Sequence, residues 1–496
     1  MLNALRIQNS LTGKKELFEP INPPFVGMYV CGPTVYSDVH LGNVRTFISF
    51  DVIYRYLMFL GYKVRYVRNI TDVGHLIDDA DEGEDKIGKK AKLENLEPME
   101  VVQRYTQDFH RVMEQFNALP PSIEPSATGH IIEQVSMVEK LLENGLAYES
   151  KGSVYFNVKE YQKKHHYGKL SGRKVEELIS NTRSLDGQDE KSDNIDFALW
   201  KNAAEGHIMK WPSPWGQGFP GWHLECTVMG TKYLGKTFDI HGGGMDLKFP
   251  HHECELAQSV GSHGQDPVKY WVHTNMLTVN GQKMSKSLGN SFLPRELFAG
   301  DHDLLDRPYS PMTVKFFMLQ SHYASTLDFS NDALQAAHKG YKKLMNGLKT
   351  LRNIEYSDEE GVQINEKVAG QVNQLCDNCY RAMNDDFNTA LTIGHLFNLL
   401  KKINSIQTQN LKTAELGQET FERMKSTFCA FITEVLGLKE EDNLDSEGIL
   451  DVLINIYKQA KEAKDYSRVD EIRDQLKQQG VVLKDMKAGI DWAYEE

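Results

Sequence analysis

Apolar positions along the chain follow two rhythms. Up to about residue 320, short β-rich runs alternate with segments of helical period, which predicts an α/β domain built on a parallel sheet. The expected strands are 26–32, 63–70, 237–241 and 269–274, and the expected helices are 42–60, 98–117, 128–145, 222–234 and 251–260. The strongest helical period follows the first strand, where Val44, Phe47, Ile48, Val52, Ile53, Tyr56, Leu57 and Leu60 recur. Between about 147 and 220 the alternation breaks. Glycines, the run Pro212-Ser213-Pro214-Trp215-Gly216 and short pieces such as Val154-Tyr155-Phe156 mark an insertion between two half-sheets. Beyond 320 the helical period takes over, with acidic linkers near 356–360 and 440–443. Ala460 to Gln479 reads as one amphipathic helix ending at Gly480, before a strand at Val481-Val482-Leu483. The expected organisation is an α/β domain over 1–320, a helical domain over 321–440 and a small α/β unit over 447–496.

Charge and composition narrow the picture. The formal net charge is −13, from 56 Lys and Arg against 69 Asp and Glu. Contact with a polyanion would therefore rest on local positive stripes and not on bulk attraction. Candidate stripes are Lys86 to Lys92, with four lysines in seven residues, and Lys163 to Lys174, interleaved with Tyr161 and Tyr167; each reads equally as a solvated helix face. No run approaches the roughly 18 apolar residues of a membrane span, and the first residues lack a hydrophobic signal core. A cytoplasmic protein with no membrane association is expected. Six cysteines in 496 residues do not form a disulfide framework. Cys376, Cys379 and Cys429 fall in helical stretches and read as small core residues.

Two motifs carry the first chemistry. Lys283-Met284-Ser285-Lys286-Ser287 lies between Asn280-Gly281 and Leu288-Gly289-Asn290, the make-up of a mobile loop holding two cations that can close over a polyphosphate. Near the N-terminus, the strand ending at Cys31-Gly32 leads through Pro33-Thr34-Val35-Tyr36 to His40-Leu41-Gly42-Asn43, which opens the first long helix. A helix start fed by a strand is an anion site, because free N–H groups and the dipole both favour phosphate, and Gly42 allows close approach to the backbone. The pair resembles the H-I-G-H and K-M-S-K-S signatures of class I aminoacyl-tRNA synthetases. Asn43 replaces the last histidine of the first signature, retaining a neutral donor while losing the ability to carry a proton.

Between these motifs lie Trp222-His223-Leu224-Glu225-Cys226, His241-Gly242-Gly243-Gly244-Met245-Asp246 and Phe249-Pro250-His251-His252-Glu253-Cys254-Glu255. His251 and Glu255 are four apart and share a helix face, so they can deliver two ligands to one point. Cys226 and Cys31 complete a set that zinc accepts. A buried free cysteine is more often a small core residue, and His252 and Cys254 on the same helix leave the ligand choice open. Together with Met28 to Thr34 and Asn384-Asp385-Asp386-Phe387-Asn388-Thr389, these strings are similar to the cysteinyl-tRNA synthetase family over essentially the whole chain.

That resemblance implies a Rossmann-type catalytic domain with an inserted connective region, followed by a helical domain and a small terminal domain on the anticodon side of the tRNA. It implies one zinc held by Cys31, Cys226, His251 and Glu255, which selects cysteine through its thiolate. It implies an amino-acid pocket lined by Gly32, Thr34, Thr71, Trp222 and His241, and an ATP site at His40, Gly42, Gly243, Gly244 and Lys286, with Mg²⁺ beside ATP. His40, Asn43, Lys283 and Lys286 are the expected catalytic residues. The implied reaction is activation of L-cysteine by ATP and transfer to the terminal ribose of tRNA(Cys) by a monomer. Lys461, Lys464, Arg468, Arg473 and Lys477 are candidate phosphate contacts in the tail. Two rival readings remain: an enzyme of similar fold that couples cysteine to an amino sugar, and a zinc-containing RNA-binding paralogue without catalysis. The long helical tail opposes the first, and retention of Lys283 and Lys286 opposes the second.

Overall fold

The computed structural model describes residues 4–74, 86–173, 190–284, 288–441, 446–478, 481–486 and 489–494. Residues 1–439 and 440–496 form two compact units.

The first unit begins with a hairpin, β1 (Arg6–Asn9) and β2 (Lys14–Leu17). The strand β3 (Phe25–Val30) is buried over most of its length and feeds the helix α1 (Leu41–Phe59), after which β4 (Lys63–Arg68) lies parallel to β3. Three helices follow, α2 (Lys86–Glu94), α3 (Pro98–Gln115) and α4 (Ile131–Glu143). The insertion is an antiparallel sheet of β5 (Ala147–Ser150), β6 (Ser153–Phe156), β7 (Phe197–Asn202), β8 (Trp211–Ser213) and β9 (Gly216–Pro220), in the order β5-β6-β7-β9-β8, with the short helix α5 (Val158–Gln162) between β6 and β7. The chain then returns to the parallel layer through α6 (Leu224–Leu234), β10 (Phe238–Gly244), α7 (His251–His263) and β11 (Val268–Thr274).

The central sheet has the order β11-β10-β3-β4, all parallel. Strand order reverses between β3 and β10, since β4 lies on the far side of one and β11 on the far side of the other. Crevices at such reversals, outside the carboxyl ends of the strands, are where α/β sheets bind ligands. Buried apolar strands with helices on both faces follow from the continuous apolar runs in the sequence. One core joins α1 and its side of the sheet to the helical segment. A second packs α4, α6, α7 and the inserted sheet together, and it includes Cys31, Cys226 and Cys254.

After β11, β12 (Leu277–Val279) and β13 (Gln282–Lys283) make a hairpin, and α8 (Pro294–Ala299) and α9 (Pro311–Leu319) lead to β14 (Leu327–Phe329). These strands form a three-stranded sheet, β13-β12-β14, that the apolar pattern does not reveal, because each strand has only two or three residues. The hairpin turns at Asn280-Gly281, both with positive φ (49° and 76°), the pairing a tight two-residue turn requires. The helical segment consists of α10 (Asn331–Asn353), α11 (Glu366–Asn384), α12 (Thr389–Gln407), α13 (Thr413–Leu416) and α14 (Gln418–Ala430). Cys376 and Cys379 are buried in its core and Cys429 packs against it.

The second unit has α15 (Ser446–Glu462), α16 (Tyr466–Gln478) and a hairpin of β15 (Val481–Met486) and β16 (Gly489–Tyr494). The single helix expected over 460–479 is thus two helices. Lys464 adopts φ 59°, and Asp465 Oδ1 accepts from the Arg468 N–H at 3.2 Å, capping a new start.

Among the described residues no helix is long and apolar enough to cross a membrane.

Candidate active site and metal centre

The reversal between β3 and β10 brings the motifs together. Cys31 follows the last residue of β3, Cys226 lies in the first turn of α6, and His251 and Glu255 lie on one face of α7. All four are buried. Cys31 Sγ stands 3.7 Å from Cys226 Sγ and 3.8 Å from Glu255 Oε1, and His251 Nε2 lies 3.2 Å from the same carboxylate oxygen. Two thiolates each at about 2.3 Å from a tetrahedral zinc stand roughly 3.8 Å apart, so the donor set fits that ion in spacing as well as in chemistry. Burial and the neighbouring thiol push Cys31 well above the ordinary thiol range, and burial takes Cys226 up to about 12. A divalent cation at this point would favour the thiolates that the protein alone disfavours.

A second set, Cys31, His241, His252 and Glu255, is equally close-knit. His252 Nε2 lies 3.3 Å from Cys31 Sγ, while its Nδ1 meets His273 Nε2 at 2.8 Å and His273 Nδ1 meets Ser10 Oγ at 2.8 Å. His241 Nε2 meets Glu255 Oε2 at 2.8 Å and its ring stacks on Trp271. Glu255 therefore offers Oε1 to His251 and Cys31 and Oε2 to His241, the pattern of a ligand held by an outer partner. Burial drives His252 far below the ordinary imidazole range and takes His273 to about 3, so both rings are neutral. The arrangement is a possible Cys/His metal site.

Next to it lies the pocket expected for an amino acid. Thr34 and Thr71 bridge, with Thr71 N donating to Pro33 O at 3.1 Å and Val35 N to Thr71 O at 3.2 Å. The Trp222 and His251 ring centroids are 4.6 Å apart. A Cβ on Gly32 would overlap the Asn69 carbonyl oxygen, so only glycine lets the two strand ends meet. Three residues that motif reading passed over hold this floor. Asn69 Oδ1 accepts from Gly32 N at 2.8 Å and its Nδ2 donates to Thr71 Oγ1 at 3.1 Å, while the buried Glu225 accepts from the Thr71 hydroxyl. His223 Nδ1 meets His251 Nδ1 at 3.1 Å, leaving His251 Nε2 turned toward Glu255. His223 and Glu225 sit inside a string already singled out and Asn69 near the end of an expected strand, but their neighbours exist only after folding.

On the other side, His40 caps α1 and Asn43 answers it. Asn43 N donates to His40 Nδ1, and His40 N donates to Asn43 Oδ1, each at 3.4 Å. A Cβ on Gly42 would lie 3.3 Å from Met284 Cε, and Leu41 N donates to Phe292 O at 3.0 Å, so the two signature motifs adjoin. Lys283 ends β13, exposed, and its carbonyl accepts from Asn290 Nδ2 at 3.2 Å. Lys286 lies outside the described residues. Gly243 and Gly244 form the end of β10 beside His273 and Thr274 of β11. Their neighbour Gly242 has its own reason: a Cβ there would overlap the Phe50 ring of α1.

The family model described as tRNA synthetases class I (C) catalytic domain matches residues 17–339, and a DALR domain model matches 378–439. The chain is 60% identical over 493 residues to the cysteine–tRNA ligase of Cytophaga hutchinsonii, covering 99% of each chain. It is 46% identical over 507 residues to that of Chlorobaculum tepidum, again with 99% coverage of each. Among solved structures, a Mycobacterium tuberculosis methionyl-tRNA synthetase in complex with methionyl-adenylate aligns with a TM-score of 0.58 at 14% identity, covering 87% of this chain and 94% of that one. That likeness concerns the fold.

Proposed function

The chain belongs to the cysteine–tRNA ligase family of class I aminoacyl-tRNA synthetases, and on that premise we propose how its residues divide the work. The reaction is ATP-dependent activation of L-cysteine followed by transfer to the 3′-terminal ribose of tRNA(Cys). In the first step a cysteine carboxylate oxygen bonds to the α-phosphorus of ATP and the bond to the β-phosphate oxygen breaks, releasing pyrophosphate. In the second, a ribose hydroxyl takes the aminoacyl group and AMP leaves.

His40 and the backbone N–H of Gly42 face the phosphates, and Asn43 holds His40 through the cap. Gly243 and Gly244 let the nucleotide approach bare backbone. Lys283 and Lys286 offset the charge that gathers on the phosphate oxygens, with Mg²⁺ accompanying ATP. Because phosphoryl transfer asks little covalent chemistry of the protein, position and charge supply most of the acceleration. Gly32, Thr34, Thr71, Trp222 and His241 frame the amino acid. Cys31, Cys226, His251 and Glu255 would hold one zinc, with His241 and His223 orienting Glu255 and His251. When bound, zinc supplies a soft Lewis acid that prefers a thiolate to a hydroxyl, which a shape-based pocket could not sort from near-isosteric serine. Residues 1–320 form the catalytic part, 321–440 the helical anticodon-side part and 447–496 the terminal part, in a cytoplasmic monomer.

The observation that carries the metal assignment is the close group of four buried donors, with its 3.7 Å sulfur–sulfur spacing, at the sheet's reversal point. Cysteine-dependent ATP–pyrophosphate exchange, with zinc content measured on the same samples, tests it. Cys226→Ser and His251→Ala should each lose zinc and weaken cysteine binding by at least about tenfold while ATP binding persists. Unchanged zinc in both variants would show that the ligands lie elsewhere. Absence of exchange from zinc-replete protein would end the adenylation reading.

A further inference from the structure

Four backbone carbonyls converge on one buried guanidinium that belongs to neither signature motif. Arg45, on α1 five residues beyond His40, is 2% exposed. Its Nη1 donates to Asn275 O at 3.0 Å and Met276 O at 2.6 Å, and its Nη2 donates to His322 O at 3.3 Å and to Ser325 O. Burial alone lowers its proton affinity, to about 10, so it remains charged with no carboxylate among the described residues contributing. The cation is held by carbonyl dipoles, in a rigid fork of donors that an ammonium cannot copy.

Those carbonyls belong to the two roots of the small sheet that carries Lys283. Asn275 and Met276 join β11 to β12, and 322–325 is the turn that leads to β14. The roots are tied to each other as well, by Asn275 N to Tyr323 O at 2.9 Å and Asn275 Nδ2 to Ala324 O at 3.0 Å. From there β12 pairs with β14 from Leu277↔Leu327 to Val279↔Phe329, and with β13, which ends at Lys283. Asp328 Oδ1 accepts from Thr278 Oγ1 and from Gly281 N, each at 2.7 Å, stiffening the hairpin to its tip. A rigid path therefore runs from a side chain of the His40 helix to the strand bearing Lys283.

We propose that Arg45 is a positioning residue for adenylation: by clasping both roots of the β12–β13–β14 sheet, it fixes the strand of Lys283 relative to the helix that begins at His40. It touches neither nucleotide nor cysteine. The proposal rests on the roles given above to His40 and Lys283.

Arg45→Lys keeps a cation but cannot span four carbonyls. On the full-length, zinc-loaded chain it should slow ATP–pyrophosphate exchange by about tenfold or more in kcat, with zinc content and cysteine affinity at wild-type values. Amide hydrogen exchange over 277–283 should quicken while that of β3 and β10 stays as in wild type. Because Arg45 acts through the hairpin, adding Arg45→Lys to Lys283→Ala should cost little beyond Lys283→Ala alone, within about threefold. Losses that multiply, exchange at the wild-type rate, or a parallel loss of zinc and cysteine binding would each overturn the proposal. So would outright unfolding of Arg45→Lys, since the residue would then hold the fold and not the hairpin. A wild-type chain without exchange would instead fail the adenylation reading, and the hydrogen-exchange comparison would still decide the clasp.

Discussion

Asn43 shows how a departure from a signature can be absorbed locally. Its N–H donates to His40 Nδ1, and a ring nitrogen that accepts carries no proton. In the tautomer this cap requires, the proton of a neutral His40 sits on Nε2, the nitrogen the proposed phosphate contact would use. No second imidazole is needed for that. Asn43→Ala removes one of the two cap bonds, the one to Asn43 Oδ1, and loosens the other. A loss of about 1 kcal/mol in stability is expected, together with a raised ATP KM and unchanged cysteine affinity. Urea denaturation and exchange kinetics measure both; a stability loss with an unchanged ATP KM would separate the cap from His40's task. Position 43 could be read from the sequence, but this job could not, because it depends on the dihedral angles of residue 40. Cys226, His251 and Glu255 were easier to read, since helical spacing alone aligns two of them. Asn69, His223 and Glu225 were not, since each acts on a partner that only the fold brings near.

At the scale of elements, α1 packs against both the central sheet and the helical segment. Its long apolar period made it the most legible segment, whereas β12, β13 and β14 were invisible because each has only two or three residues. Its buried charges were equally hidden. Asp51 accepts from Arg55 Nε at 2.9 Å, from Lys315 Nζ on α9 at 3.0 Å and from Leu119 N at 2.8 Å. Lys315 is fully buried, and burial, with Arg55 and Lys439 nearby, lowers its pKa from the ordinary 10.5 to about 8 against the opposing pull of Asp51. The unfolded chain thus keeps this proton up to about pH 10.5 and the folded chain only to about pH 8. Across that window the unfolded state binds more protons, so Lys315 makes stability rise with pH. The stability of wild type minus that of Lys315→Met should be flat below about pH 8 and climb from there toward about pH 10. Denaturation midpoints of both proteins along that range give the slope. A difference that falls with pH would mean that Asp51 outweighs burial.

At the scale of the whole molecule, the chain consists of a large unit that contains every proposed catalytic residue and a small one that contains none. The small unit has its own core, formed by Leu450, Ile454, Tyr457, Val469, Leu476 and Leu483. The acidic linker near 440–443 marked this boundary in the sequence. The expected division at 320 left no comparable mark on packing, since one continuous core runs from α1 and α9 into α10–α14. Five cations were read as candidate phosphate contacts in the tail, but Arg473 bonds the Tyr457 hydroxyl at 2.5 Å and lies over its ring, which leaves it a packing role as well. If the small unit serves tRNA and not adenylation, a chain ending at Lys439 should retain cysteine-dependent ATP–pyrophosphate exchange and the wild-type denaturation of its own core. Its charging of tRNA should fall through a higher KM for tRNA. The salt dependence of that KM should also become shallower, by about 0.7–0.9 in logarithmic slope for each phosphate contact removed. Loss of exchange would make the small unit part of the catalytic fold. Undiminished charging with an unchanged salt slope would assign all the tRNA contacts to residues before 440.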